Sequence, residues 1–150
     1  TAELAATYTK DPIRVAMLSF SSFGSSPDAK AKKVAKAVQI VRELNPSLEI
    51  DGEMQVDVAL NAELRQQEYP FCTLKDNANV LIFPDLASAN IAYKILTQLS
   101  DAKPTGPILV GIKKPAHSLQ RGASVQEIIN MIYLSAHQVV KAKMDQEKDS

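Results

Sequence analysis

Three short apolar runs, each followed by a loop and then by a stretch with helical spacing, organise this chain. The first run, Arg14 to Phe20 (RVAMLSF), is the length of a strand buried on both faces. A Ser/Gly loop, SSFGSSPD, follows it. Ser26 then reads as a helix N-cap, Pro27 as the first helical residue and Asp28 as an acid placed at the positive end of the helix dipole. Along that helix Val34, Val38, Val41 and Leu44 share one face, with Lys30, Lys32, Lys33 and Lys36 largely turned away as a solvated face. Asn45 and Pro46 end it. The segment LEIDGEMQVDVAL predicts a short extended piece, a turn at Asp51-Gly52 and a helix running to about Gln66. A second buried strand is expected over Asn79 to Pro84, followed by a helix packed through Ile91, Ile95 and Leu99. A third is expected over Gly106 to Ile112. The most periodic helix follows, with Val125, Ile128, Ile129, Ile132, Ala136, Val139 and Val140 on its inner side.

Strand, loop and helix in alternation predict an α/β fold: a three-layer α/β/α arrangement around a mostly parallel sheet. The first residue is Thr1, and TAELAA reads as the end of a helix already under way across residues 1–10. The chain is therefore expected to be a C-terminal piece of a longer protein, forming one domain over 1–150 with a frayed tail at 144–150.

Charge narrows the choice of partners. Lys plus Arg number 17 and Asp plus Glu 17, a formal net charge of zero, whereas nucleic acid and anionic membranes call for a basic excess. No apolar run approaches the roughly 18 residues of a membrane span, and no signal peptide is visible. A lone cysteine, Cys72, excludes an internal disulfide framework and fits a reducing, cytoplasmic setting.

Ligands of parallel sheets bind off the carboxyl ends of the strands. Three loops leave those ends: SSFGSSPD, PDLASAN and KKPAHSLQRGAS. A crevice shared by them is the expected site. Ser21, Ser22, Gly24, Ser25 and Ser26 offer hydroxyls and free amides for a phosphate at a helix start. A capped loop without a ligand explains them equally well, and neither a P-loop nor a dinucleotide fingerprint is present. Asn90 closes the second loop and joins the candidates. In the third, Arg121 stands just ahead of the N-cap Ser124, where guanidinium and helix dipole converge on one anion. Lys113 and Lys114 add charge there. Ser124 and Glu127 have capping-box spacing, which accounts for both residues without a catalytic role. His117 and His137 lack partners at metal-ligand spacing, and Asp51, Glu53 and Asp57 are explained by a turn and a helix start, so no metal site is assigned.

The stretches RVAMLSFS, IDGEMQVDVAL, ANVLIFPDLASANIAYKIL and GPILVGIKKPAHSLQRGASVQEIINM together resemble the C-terminal part of phosphate acetyltransferases. They are closer still to the phosphotransacetylase-like domain fused behind the catalytic half of bacterial hybrid NADP-dependent malic enzymes. The resemblance runs from about Arg14 to Ala136. It implies a fold of the phosphate acetyltransferase type, a homo-oligomer, and acetyl-CoA as the ligand. Active members carry Ser-Arg-Gly-Ala in the loop holding Arg121, followed by an Asp; that Ser and Asp assist the thiol of coenzyme A while the Arg binds phosphate. Here the Ser position is Gln120, the Arg is kept, and the Asp position falls on Glu127. A base displaced by about 1 Å costs roughly a hundredfold in rate, so the resemblance implies binding at Gln120, Arg121 and Glu127 with the chemistry lost. The expected role is that of an acetyl-CoA-sensing regulatory domain. NADP and a divalent metal, Mg or Mn, would belong to the malic enzyme domains of the same chain. The alternative is a phosphate acetyltransferase, with Arg121 on phosphate and Glu127 as base.

Overall fold

Strand β1 (Arg14–Leu18) occupies the middle of a three-stranded parallel sheet of order β2-β1-β3, with β2 at Glu49–Met54 and β3 at Val80–Ile82. A central strand needs apolar side chains on both faces, and RVAML supplies them. Val15 joins Ile50 and Val80 in one buried cluster, while Ala16 and Leu18 join Met54, Val58, Ala59, Leu74 and Ala78 in another. The computed structural model describes residues 1–112 and 114–148. These form two compact units, Thr1–Ile95 and Leu96–Ser150. The first holds the sheet. The opening residues make one helical turn, α1 (Ala2–Ala5).

Helix α2 (Ala29–Leu44) follows β1 and buries Ala31, Val34 and Val38, while Leu44, assigned to the same face, is exposed. Its N-cap is Asp28, whose carboxylate accepts the Lys30 amide at 2.7 Å, so the helix starts two residues after the Ser26 expected to cap it. Asn45 ends it as read from the sequence. Arg42 fastens the helix to β2: its guanidinium lies 2.7 Å from Asp51 and donates to the Ile50 carbonyl at 2.9 Å.

The expected turn at Asp51-Gly52 is absent. Strand β2 continues through both residues, because Asp51 is buried and its carboxylate accepts from Thr73 N (2.7 Å) and Thr73 Oγ1 (3.0 Å). Gly52 is required there for close approach: a Cβ would lie 2.5 Å from the Met17 carbonyl on the neighbouring strand. The helix expected to run to about Gln66 is two, α3 (Val56–Leu60) and α4 (Ala62–Glu68). They are divided at Asn61, whose side chain leaves the helical path to cap α4 through the Leu64 amide.

Arg65 holds the other side of the sheet together. It is buried, and its guanidinium donates to the carbonyls of Val58 (2.7 Å), Ala59 (2.9 Å) and Asp76 (2.6 Å), closing the end of α3 and anchoring the loop into β3. That loop also carries an aromatic cluster: the Phe23 ring lies 5.1 Å from Tyr69 and 5.0 Å from Phe71.

Helix α5 (Leu86–Leu99) buries none of its residues. Ile91 and Leu99, expected as packing positions with Ile95, are 61% and 83% exposed. The run Gly106 to Ile112, expected as a third buried strand, forms no strand: Gly111 takes a φ of +80°, off the extended path, and no ladder partner reaches the segment among the described residues. In the second unit α6 (Val125–Lys148) is helical well into the tail expected to fray; Asp149 and Ser150 lie outside the described residues. It buries Met131 and Leu134, a strip displaced from the predicted inner face, and leaves Val125 and Ile132 exposed. Among the described residues no strand lies in this unit to cover the whole apolar stripe.

Candidate functional site

The loop after β1 is held by the strand beside it. Glu53, buried at the end of β2, accepts the Ser21 hydroxyl at 3.0 Å and the Gly24 amide at 2.6 Å through the same carboxylate oxygen. Its own carbonyl accepts the Phe23 amide. Ser22 Oγ accepts the Gln55 amide at 3.0 Å, and Ser25 Oγ accepts the Ser22 amide at 3.0 Å. Phe23 sits at a φ of +49° and Gly24 at +85°, the left-handed geometry that reverses the chain here. The remaining amides are also spoken for: Ser21 N donates to Ser19 Oγ, Ser25 N to the Ser22 carbonyl, and Ser26 N to Ser21 Oγ.

Every backbone amide from Ser21 to Ser26 therefore donates inside the protein. The loop is not the open nest of free amides expected from its composition. Ser21 and Ser22 are 0% and 3% exposed and shape the loop from within, Ser26 is half-buried, and Ser25 alone of the four candidate serines is exposed. The acids Asp51 and Glu53 are likewise bound to Arg42, Thr73, Ser21 and Gly24, and among the described residues no group of His, Cys, Asp and Glu could hold a metal ion.

At the carboxyl ends of the three strands lies a cavity of about 500 Å³, lined among others by Phe20, Gln55, Val56, Asp57, Phe83 and Ser88. This is where a parallel sheet presents its ligand site; Ser88 belongs to the PDLASAN loop expected to line it and Asp57 is read from the sequence only as part of an acidic cluster, while Phe20, Gln55, Val56 and Phe83 are not singled out there. The signal that would have found them is position: each lies just beyond a strand end or at the start of the helix that follows. Asn90 is exposed on α5, and Asp85 caps that helix by accepting the Ser88 amide (2.8 Å) and hydroxyl (2.9 Å). Those two bonds hold the Asp85 carboxyl below its ordinary range.

In the second unit, a turn closed by the Ala123 amide on the Gln120 carbonyl carries Arg121 and Gly122 at its tip. Lys114, Gln120 and Arg121 are exposed; Lys113 lies outside the described residues. The capping box forms as the spacing predicted. Glu127 Oε2 accepts the Ser124 amide at 2.6 Å and hydroxyl at 2.8 Å, and Ser124 Oγ accepts the Glu127 amide at 3.3 Å. The first two bonds keep the Glu127 carboxyl below the usual glutamate range. His117 accepts the Leu109 amide on Nδ1 at 3.4 Å, and its Nε2 is hydrogen-bonded with Gln138 Oε1 at 2.9 Å. A carboxylate already accepting two hydrogen bonds is a poor base, whereas the Arg121 guanidinium makes no hydrogen bond or ion pair with a described residue.

A family model described as phosphate acetyl/butaryl transferase matches residues 1–136. Among curated relatives, an NADP-dependent malic enzyme of Haemophilus influenzae is 48% identical over 131 residues, 87% of this chain and 17% of that protein. A phosphate acetyltransferase of Clostridium acetobutylicum is 41% identical over 138 residues, 92% of this chain and 41% of that protein. The chain thus spans less than half the length of either. Among solved structures, a phosphotransacetylase from Streptococcus pyogenes superposes with a TM-score of 0.86 at 40% identity, covering 94% of this chain and 43% of that one. The chain belongs to the phosphate acetyl/butyryl transferase family.

Proposed function

We propose that this member of the family is the regulatory, acetyl-CoA-sensing region of an NADP-dependent malic enzyme and has no phosphotransacetylase activity of its own. The observation that carries the reading is the state of Glu127. At the position where the resemblance places a catalytic acid in active transferases, its carboxylate is bound to both the Ser124 amide and hydroxyl, within a helix cap. Gln120 stands where those enzymes use a hydroxyl, while Arg121 is kept, exposed at the tip of its turn. A site of this kind holds an anion and does not activate a thiol. The 48% identity to a malic enzyme supports the same reading.

Under it, the parent polypeptide oxidatively decarboxylates malate to pyruvate, using NADP and Mg or Mn held by its malic enzyme domains, in a cytoplasmic homo-oligomer. Acetyl-CoA binds two states of that assembly unequally; a tenfold effect on activity corresponds to about 1.4 kcal/mol of coupling. No described helix is long and apolar enough to cross a membrane.

The test is malate-dependent NADP reduction by the intact parent, titrated with acetyl-CoA. A rate that falls saturably, and ceases to do so in Arg121→Ala, is the expected result. A second reading, favoured by the 41% identity to a phosphate acetyltransferase, makes the chain the catalytic C-terminal part of such an enzyme, with Arg121 on phosphate and Glu127 as base. Acetyl phosphate-dependent formation of acetyl-CoA at about 10 per second would establish it in place of the first.

A further inference from the structure

We infer that the first unit takes the acyl-CoA effector in two adjoining recesses, the phosphate-bearing end at Lys30 and Lys33 and the uncharged arm in the cavity off the strand ends. The inference rests on acetyl-CoA being the effector but assigns the contact to residues other than the loop serines. The cavity beside Gln55 and Asp57 holds about 500 Å³, room for a chain of a dozen or more heavy atoms at the roughly 300–1,000 Å³ scale of ligand sites. A second recess of about 250 Å³ lies between α2 and β3, floored by Met17, Val34 and Ile82. Phe83 and Pro84 line both, so the two share a wall.

Their chemistries are opposite. The larger cavity contains no basic residue and one carboxylate, Asp57, that makes no hydrogen bond or ion pair with a described residue. Gln55 has its amide nitrogen committed to the Phe20 carbonyl at 2.9 Å, leaving its oxygen as an acceptor. Such a wall repels phosphate and receives hydrogen-bond donors on an apolar body, as in a chain bearing amide N–H groups. The smaller recess carries two lysines one helical turn apart, neither in an ion pair with a described residue, against one acid, Asp85, which caps α5 and feels the Lys30 charge, so its lining keeps one positive charge in excess. The same recess is therefore basic where the cavity is acidic. A ligand anionic at one end and neutral, amide-bearing and apolar along the rest fits both at once, and coenzyme A thioesters have that build. Lys32 and Lys36 lie on the same helix but line neither recess, so the lysine run divides into two working and two solvated positions.

The experiment is calorimetric binding of acetyl-CoA and of S-acetylpantetheine, which lacks the nucleotide and its diphosphate, to the intact parent polypeptide at low salt. Lys30→Glu/Lys33→Glu weakens acetyl-CoA about tenfold or more, in line with the loss of two phosphate contacts, and leaves S-acetylpantetheine unchanged. Lys32→Glu/Lys36→Glu, with the same change of net charge, stays within about twofold of the parent for both ligands. Val56→Trp, which fills the cavity mouth, weakens both ligands. Equal effects of the two lysine pairs on acetyl-CoA overturn the recess assignment while leaving acetyl-CoA sensing intact. A parent that binds no acetyl-CoA at all removes both.

Discussion

Replacing Glu53 by Ala should loosen the loop after β1 without disturbing the sheet beneath it. The carboxylate makes two bonds from one oxygen, to the Gly24 amide at 2.6 Å and the Ser21 hydroxyl at 3.0 Å. A hydrogen bond to a charged acceptor contributes about 1.5–3 kcal/mol. The Ser21 hydroxyl loses less than this, because Ser25 Oγ lies 3.2 Å away and can take its proton. The loss is offset in part by removing the desolvation of a buried carboxylate, leaving a net cost of about 2–3 kcal/mol for opening the loop. At 1.4 kcal/mol per factor of ten, amide exchange at Gly24 and Ser26 should speed up by roughly 30- to 150-fold. Exchange at Ala16 in the central strand should not change. Glu53→Gln keeps an acceptor oxygen and drops the charge, so its loop amides should exchange less than about tenfold faster. Hydrogen exchange read at single amides separates loop opening from global unfolding. Gly24 and Ser26 protected in Glu53→Ala as in the parent would refute the assignment of Glu53 as the residue that holds this loop.

Two further expectations follow from the titrating groups. The Glu127 carboxyl is depressed by its bonds from the Ser124 amide and hydroxyl. The cap it forms is therefore fully in place above the ordinary glutamate value of about 4.3 and is lost as pH falls below that, through the lower value of the folded state. A carboxyl-carbon NMR titration should show Glu127 below the other exposed glutamates, and Ser124→Ala should return it to their range; no movement in that variant would remove the capping explanation. Burial pushes the Cys72 thiol up from 9.0 to about 11, so at neutral pH it should react with iodoacetamide roughly a hundredfold more slowly than an ordinary cysteine. Labelling at the rate of a small free thiol would contradict the packing shown around it.

The sequence was most legible where one local signal had one physical meaning. RVAMLSF reads as a buried strand and forms one over Arg14–Leu18, Asn45-Pro46 reads as a helix end, and the Ser124–Glu127 spacing formed the bonds that spacing predicts. It misled where one signal serves two ends. Asp-Gly commonly marks a turn, but here Gly52 lets β2 pass against the Met17 carbonyl, and Asp51 is drawn inward by Arg42 and Thr73, partners remote in sequence. A Ser/Gly loop ahead of a helix has the composition of an anion nest, but composition does not say where the amides point, and the acid that claims Gly24 lies 29 residues on. The run GPILVGI has the hydrophobicity of a strand without the backbone of one, since Gly111 leaves the extended region. The apolar stripes of α5 and α6 were legible as stripes; how much of each is covered depends on what the rest of the chain can lay against them, which periodicity does not record.

The spent amides of the first loop bear on how a sheet of this kind can still bind a phosphate-bearing ligand. A nest of free N–H groups binds an anion through partial charges fixed in the backbone, and that route is closed between Ser21 and Ser26. What remains within the first unit is side-chain charge, and the cations at the carboxyl end of the sheet that line a recess are Lys30 and Lys33, in the first turns of α2, where the helix dipole adds to them. Side-chain binding of this sort is softer than a nest: two long lysines lose rotamer freedom on engagement, and their attraction is screened by salt. A site so built favours a reversible grip on a whole ligand over the fixed placement of one reacting phosphate. A similar division holds in the second unit, where Arg121 makes no hydrogen bond or ion pair with a described residue and Glu127 Oε2 is held by the Ser124 amide and hydroxyl. Among the described residues, Lys30 and Lys33 in the first unit and Arg121 in the second are thus the groups that attract an anion, while the amides from Ser21 to Ser26 are taken and Glu127 is bound into a cap.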